Sequence, residues 1–397
     1  MRSKAQAAGP TMRLLPASVA PFLLLLFLLS CPRSVYSGGQ KHLSSILSFG
    51  DSYADTGNLV SWDDPVLQSV NLIRNPPYGE TFFGHPSGRA TNGRIVLDFI
   101  ADALGLPFVP PVLSRGENFS TGVNFAVAGA TALNLTYLQG QNITVDLPIN
   151  SSLNDQLRWF EQLKPSLCRR SSSTHGGRSS SGCFGESLFM IGQFGANDYR
   201  NILMNSNMTL EQARSFVPEI VNTIATGVER LIHHGAKYIV VADKIPFGCM
   251  PATLSMLQSP NKGDYDQYGC LKSFNTRLSQ YHNALLRGRV DVLRRRYPHT
   301  RLVFAEHYRP VVMFLQDPDH FGFNRSTALV SCCGGGGPYN QNWKAPCGTP
   351  GATACASPSK AITWDGFHLT ESAYSSIAQG WLHGHYADPP IQHLLDD

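Results

Sequence analysis

Ile46-Leu47-Ser48-Phe49-Gly50-Asp51-Ser52 is a short apolar run cut off by a glycine, with a serine two residues beyond it. Four residues are too few for a helix and suit a buried strand, which Gly50 ends. A serine on the turn leaving a parallel strand is where an α/β fold exposes a nucleophile. The common elbow motif for such a serine needs a second glycine two residues after it. That position is Ala54, so the elbow motif is absent.

Four more apolar runs, at residues 123–127, 188–191, 238–241 and 302–304, read as strands. Helical stretches are expected between and around them at 98–104, 153–163, 210–233 and 272–297. The last has apolar positions at Phe274, Leu278, Tyr281, Leu285 and Val292. Alternation of this kind predicts an α/β fold: a mostly parallel five-stranded sheet between two helical layers. Ligands of such sheets sit beyond the carboxyl ends of the strands, so the segments that follow the strands carry the functional reading.

Ser52 follows the first run, and Ala128-Gly129-Ala130 the second. Gly195-Ala196-Asn197-Asp198 follows the third, and Trp364-Asp365-Gly366-Phe367-His368 comes some sixty residues after the last. A serine hydroxyl is a poor nucleophile until an imidazole takes its proton and a carboxylate holds that imidazole. One sheet edge would gather these parts. Taken singly, each has a plainer reading. Gly-Asp-Ser makes ordinary turns, Asn197-Asp198 suits a helix cap, Gly129 allows close packing, and Asp-x-x-His can be a surface pair.

In this order the blocks resemble the plant GDSL-type esterase/lipase family of the SGNH hydrolase superfamily. The resemblance rests on Phe49-Gly50-Asp51-Ser52-x-x-Asp55-Thr56-Gly57-Asn58, Asn124-Phe125-Ala126-Val127-Ala128-Gly129-Ala130, Gly195-x-Asn197-Asp198 and Asp365-x-x-His368, and it runs from about Ser45 to His385. It implies the three-layer SGNH-hydrolase fold and two-step acyl transfer without a cofactor. Ser52 is then the nucleophile, His368 the base and Asp365 its orienter. The backbone amides of Ser52 and Gly129 and the side chain of Asn197 hold the oxyanion. The segment 364–374 further resembles a subgroup with acetyl and sinapine esterases and xylan deacetylases. The substrate this implies is a short acyl ester, above all acetylated cell-wall xylan. Esterases of small acylated metabolites or lipids, and an acyltransferase on the same site, are the alternatives. No amphipathic lid segment stands out. Asp55 and Asn58 are expected to brace the serine loop, and Arg89 and Arg94 to serve a loop or the surface.

The remainder of the chain bounds where such a protein works. Of 397 residues 42% are hydrophobic and 15% charged, a globular composition. Residues 1–37 hold Arg2, Lys4, Arg13 and Arg33, no acidic residue, and an apolar stretch at 14–31 followed by Val35-Tyr36-Ser37. This reads as a signal peptide cleaved after Ser37, leaving a single domain from 38 to 397. An uncleaved anchor is the rival, disfavoured by Pro16 and Pro21. It would place the protein in the Golgi lumen rather than the cell wall. Without the leader the formal charge of +4 falls to zero, which removes the basic footprint that nucleic acid needs. No later segment could span a membrane. Eight cysteines remain: Cys168, Cys183, Cys249, Cys270, Cys332, Cys333, Cys347 and Cys355. They favour disulfides over a metal site, with pairings left open. Sequons at Asn118, Asn134, Asn142, Asn150, Asn207 and Asn324 suggest a glycosylated surface. A mobile loop is expected at 169–182.

Overall fold

In the computed structural model, which describes residues 42–174 and 182–396, side chains alternate along each strand between two hydrophobic cores. Strands β1 (Ser45–Phe49), β2 (Gly122–Asn124), β3 (Ser187–Ile191), β4 (Tyr238–Ala242) and β5 (Arg301–Ala305) carry this alternation. Leu47, Phe49, Phe189, Ile191, Ile239 and Val241 enter one core, and Ile46, Leu188, Met190, Val240 and Val303 the other. Successive strand residues point to opposite faces, so a sheet covered on both faces reads as the continuous apolar runs seen in the sequence.

The first core is closed by α2 (Leu153–Thr174), α4 (Val217–His233) and α5 (Tyr281–Arg296). The second is closed by α1 (Val96–Ala103), α6 (Tyr308–Gln316) and α7 (Glu371–His383). A short helix, α3 (Ala196–Arg200), follows β3 directly. The result is an α/β/α sandwich.

The sheet has six strands, not five. A clipped hairpin of β6 (Cys333–Gly334) and β7 (Thr353–Ala354) lies outside it, and β8 (Ala387–Asp388) adds an antiparallel edge beside β5, giving the order β2-β1-β3-β4-β5-β8. Two residues leave no periodicity to read, which is why β8 escaped the sequence. β1 lies between β2 and β3, and all neighbours from β2 to β5 run parallel. The carboxyl ends of β1, β2 and β3 therefore lie side by side.

Several element bounds differ from expectation. The strand expected over 123–127 is β2, which ends at Asn124. The helix expected over 210–233 is two, Leu210–Ser215 and Val217–His233, because Pro218 starts the second and a proline cannot donate into a preceding turn. The stretch over 272–297 is helical throughout but opens into a wider turn at Asn275–Gln280, and its Val292 is exposed rather than core. α2 runs past residue 163 to Thr174, through Pro165. It thus enters the expected loop at 169–182, of which residues 175–181 lie outside the described residues, as does the leader at 1–37. All eight cysteines named above are paired: Cys168–Cys183, Cys249–Cys270, Cys332–Cys355 and Cys333–Cys347. Among the described residues, no helix is long and apolar enough to cross a membrane.

Arg89 serves the loop, as expected, through the Thr56 and Ser87 carbonyls, but it is not at the surface. It is 5% exposed and grips the fully buried Asp98 with two charge-assisted bonds of 2.7 Å. Asp98 also accepts from Ile95 N–H at 2.9 Å at the start of α1. Arg94 ties that region to the first residue of α7 through Glu371 at 2.6 Å. Removing one partner of a buried pair strands the other charge. Arg89→Met is therefore expected to lower unfolding free energy by about 3–5 kcal/mol in urea titrations. A loss below about 1 kcal/mol would mean that the pair is solvated or dispensable.

Candidate active site

The turn after β1 is held from three sides before any catalytic group is considered. Gly50 exchanges backbone bonds with the buried Gln156 side chain of α2, its N–H donating at 2.9 Å and its carbonyl accepting at 2.8 Å. Asp55 is fully buried and accepts from the N–H groups of Gly57, Asn58, Leu59 and Ala128. Asn58 donates to the carbonyls of Asn124 and Ala126 and accepts from Leu113 N–H. Asp55 and Asn58 therefore brace the serine loop as expected, and they do so by lacing it to the segment after β2. Asp198, also buried, accepts from Ala132 and Leu133 N–H at 2.9 and 3.0 Å, joining the segment after β3 to the same place.

Ser52, His368 and Asp365 meet over this platform. Ser52 Oγ lies 2.8 Å from His368 Nε2, and His368 Nδ1 lies 2.7 Å from Asp365 Oδ2. Asp365 Oδ1 accepts the backbone N–H groups of Phe367 and His368 at 3.0 and 2.9 Å, so the carboxylate curls back on its own turn. That turn is anchored from β1's side by the Tyr53 hydroxyl, which donates to Phe367 O at 2.7 Å. A carboxylate on Nδ1 favours the tautomer with the proton there and leaves Nε2 free to accept from a hydroxyl.

Gly129 and Asn197 line the same cleft as Ser52. Gly129 sits at φ +88°, a backbone conformation that favours glycine over any residue with a Cβ. Asn197, in the first turn of α3, spends one amide proton on Ala130 O at 3.0 Å and lies 3.5 Å from Asp51 Oδ2. The backbone N–H groups of Ser52 and Gly129 donate to no acceptor among the described residues. All six sequon asparagines are exposed. Those of Asn118, Asn134 and Asn324 accept backbone bonds through Oδ1, which leaves Nδ2 outward.

The electrostatics follow from burial. Burial alone would raise the pKa of Asp365. The charge and hydrogen bond of His368, the Tyr78 hydroxyl and the His368 backbone N–H outweigh it and hold the carboxyl below its ordinary value. Asp51 has fewer compensating donors, and burial pushes it up to about 7 despite Tyr53 N–H and His368. Beneath the site, burial pushes Lys244 down to about 7 against the pull of Asp243 and Asp51.

Two features went unread in the sequence. Tyr78 is buried, donates to Asp365 Oδ2 at 2.8 Å and rests edge-on against Trp364. It lies 287 residues from its partner, and no local pattern marks it. The segment with short helices at Pro65–Val70 and Leu72–Arg74 forms one wall of the cleft through Leu67, Val70, Leu72 and Ile73, while Val66 and Val70 face solvent. Six residues are too short for the amphipathic period sought in a lid.

Residues 46–381 match the GDSL-like Lipase/Acylhydrolase family. The chain belongs to the GDSL esterase/lipase family. Its relatives include three GDSL esterases/lipases of Arabidopsis thaliana. At1g28600 is 41% identical over 88% of this chain and 86% of its own length. At1g31550 is 41% identical over 88% and 86%, and At1g28670 is 39% identical over 94% of both. Membership makes this GDSL protein a carboxylic-ester hydrolase. The apolar run, Gly50-Asp51-Ser52 and the late Asp365-x-x-His368 all lie inside the matched span.

The Tyr78 hydroxyl helps fix the carboxylate that holds His368 Nδ1–H. Tyr78→Phe keeps the ring and removes that one hydrogen bond, so kcat/KM on a simple ester is expected to fall about fivefold, the scale of ~1 kcal/mol. Steady-state kinetics beside the wild type check this. An unchanged kcat/KM would reduce Tyr78 to packing.

Proposed function

We propose that this protein hydrolyses short-chain carboxylic esters through an acyl-enzyme on Ser52. The observation that carries the reading is the unbroken relay Ser52 Oγ–His368 Nε2 and His368 Nδ1–Asp365 Oδ2, at 2.8 and 2.7 Å. His368 takes the hydroxyl proton as Ser52 Oγ attacks the ester carbonyl. The negative oxygen of the tetrahedral intermediate accepts from Ser52 N–H, Gly129 N–H and the Asn197 amide proton that now makes the long 3.5 Å bond to Asp51 Oδ2. The intermediate collapses, the C–O bond to the alcohol breaks, and His368 delivers its proton to that alcohol. Water then repeats the sequence on the acyl-enzyme, releasing the acid and restoring Ser52. Asp365 keeps its charge throughout and steadies the imidazolium.

The cleft supports a short acyl group. Its volume is about 250 Å³, below the roughly 300–1,000 Å³ of sites that enclose a drug-sized ligand. Leu59, Leu67, Leu72, Ile73, Leu147 and Phe247 supply apolar walls, and no long channel is needed for acetyl or its near homologues. Acetylated cell-wall polysaccharide such as xylan is the substrate class we favour. Four disulfides fit an oxidising compartment, and six exposed sequons fit a glycosylated surface. Both agree with a route through the secretory pathway.

Steady-state kinetics on a p-nitrophenyl acyl series test this. Ser52→Ala is expected to lose at least roughly 10⁴-fold in kcat, the scale of removing a serine nucleophile. Asn197→Ala is expected to lose about 10²–10³-fold in kcat with little change in KM, the signature of one oxyanion donor. Activity should fall as the acyl chain lengthens. Full turnover by Ser52→Ala would overturn the assignment.

A further inference from the structure

The ester-hydrolase reading leaves one large side chain at the mouth of the site without a task. Trp343 is 49% exposed, an unusual position for an indole whose face gains most from burial. Its segment is nonetheless fixed. Cys332–Cys355 and Cys333–Cys347 clamp it at both ends, and β6 pairs with β7 across the base. Gln341, two residues before Trp343, donates to Ser331 Oγ at 2.7 Å and to Asp365 O at 3.2 Å. A Cβ on Gly366 would come within 2.4 Å of the Gln341 amide, so the clamped segment lies directly on the turn that carries Asp365 and His368.

Trp343 thereby reaches the rim. Its ring lies 6.0 Å from that of Phe367 at 59°, and the Phe367 ring lies 6.4 Å from the His368 ring and lines the cleft. Two aromatic faces thus lead outward from the base that must protonate the leaving alcohol. Arg200, paired with Asp146, stands 5.6 Å from the Phe367 ring centroid, and its buried Nε has no partner among the described residues. Aromatic pairs of this kind also bind quaternary ammonium groups. A guanidinium already beside the ring disfavours a cationic alcohol. A neutral ring with an apolar C–H face suits the two aromatic faces.

We propose that Trp343 and Phe367 form a subsite for the alcohol half of the ester, taking the apolar face of a pyranose ring in an acylated carbohydrate. The proposal rests on the ester-hydrolase reading and adds which side chains hold the sugar of the alcohol half. Trp343 acts by positioning that sugar, so its substitution separates substrates by their alcohol and not by their acyl group.

The test compares acetylated xylo-oligosaccharides with ethyl acetate, which shares the acyl group and has an alcohol too small to reach Trp343. In Trp343→Ala, the ratio of kcat/KM for the oligosaccharide to that for ethyl acetate is expected to fall about tenfold, mainly through KM. Trp343→Phe should restore most of it. Calorimetry supplies a readout independent of turnover: a xylo-oligosaccharide should bind Ser52→Ala and bind Ser52→Ala/Trp343→Ala about tenfold more weakly. An unchanged ratio overturns the subsite, as does binding that ignores Trp343. A wild type that cleaves ethyl acetate but neither cleaves nor binds the sugar overturns this proposal and the polysaccharide substrate, and leaves the ester-hydrolase reading standing. One that cleaves neither ester overturns the hydrolytic reading beneath it.

Discussion

Four backbone N–H groups converge on the carboxylate of Asp55, which no solvent reaches. Burying an ionisable group this deeply is costly unless donors replace the lost water, and burial does raise its pKa. Those donors come from two different segments, the turn after β1 and the one after β2. Satisfying Asp55 therefore fixes the distance between Ser52 and Gly129. Asp198 does the same between the segments after β2 and β3. The site is a set of loops whose backbone polarity is consumed in holding one another.

That constraint explains why a reactive relay can sit on irregular chain. Loops are ordinarily the mobile part of a fold, yet a relay of 2.8 and 2.7 Å tolerates little error. Tyr53, Gln156 and Asn58 each tie a loop backbone to an element some distance away in sequence. The turn bearing His368 is held from one side by Tyr53 and from the other by the disulfide-clamped segment through Gln341. Rigidity comes from buried polar side chains and covalent staples, and the apolar cores only set the stage on which they act.

Much of this was legible because it is local. Four of the five main strands lie on the apolar runs read for them, the run at 123–127 being strand only at its start, and Ser52, Gly129, Asn197 and His368 each stand in a block whose residue types reveal its turn. Asp55 and Asn58 could be read as braces because they sit inside the first block. What escaped depends on partners far apart in sequence. Tyr78 meets Asp365 across 287 residues, Arg89 is buried only because Asp98 awaits it, and Gln156 looks like any helix polar residue until Gly50 arrives. β8 is too short to show a period. The break at Phe216 is marked in the sequence by Pro218, although the apolar periodicity runs on through it.

The central claim is that Ser52 is activated by His368. Intact-protein mass spectrometry with peptide mapping, after exposure to a serine-directed fluorophosphonate, tests it most directly. The account predicts one adduct per chain, located on Ser52, formed rapidly by wild type and far more slowly by His368→Ala with its fold intact. Labelling at another serine, or equal labelling of Ser52 with and without His368, would contradict it.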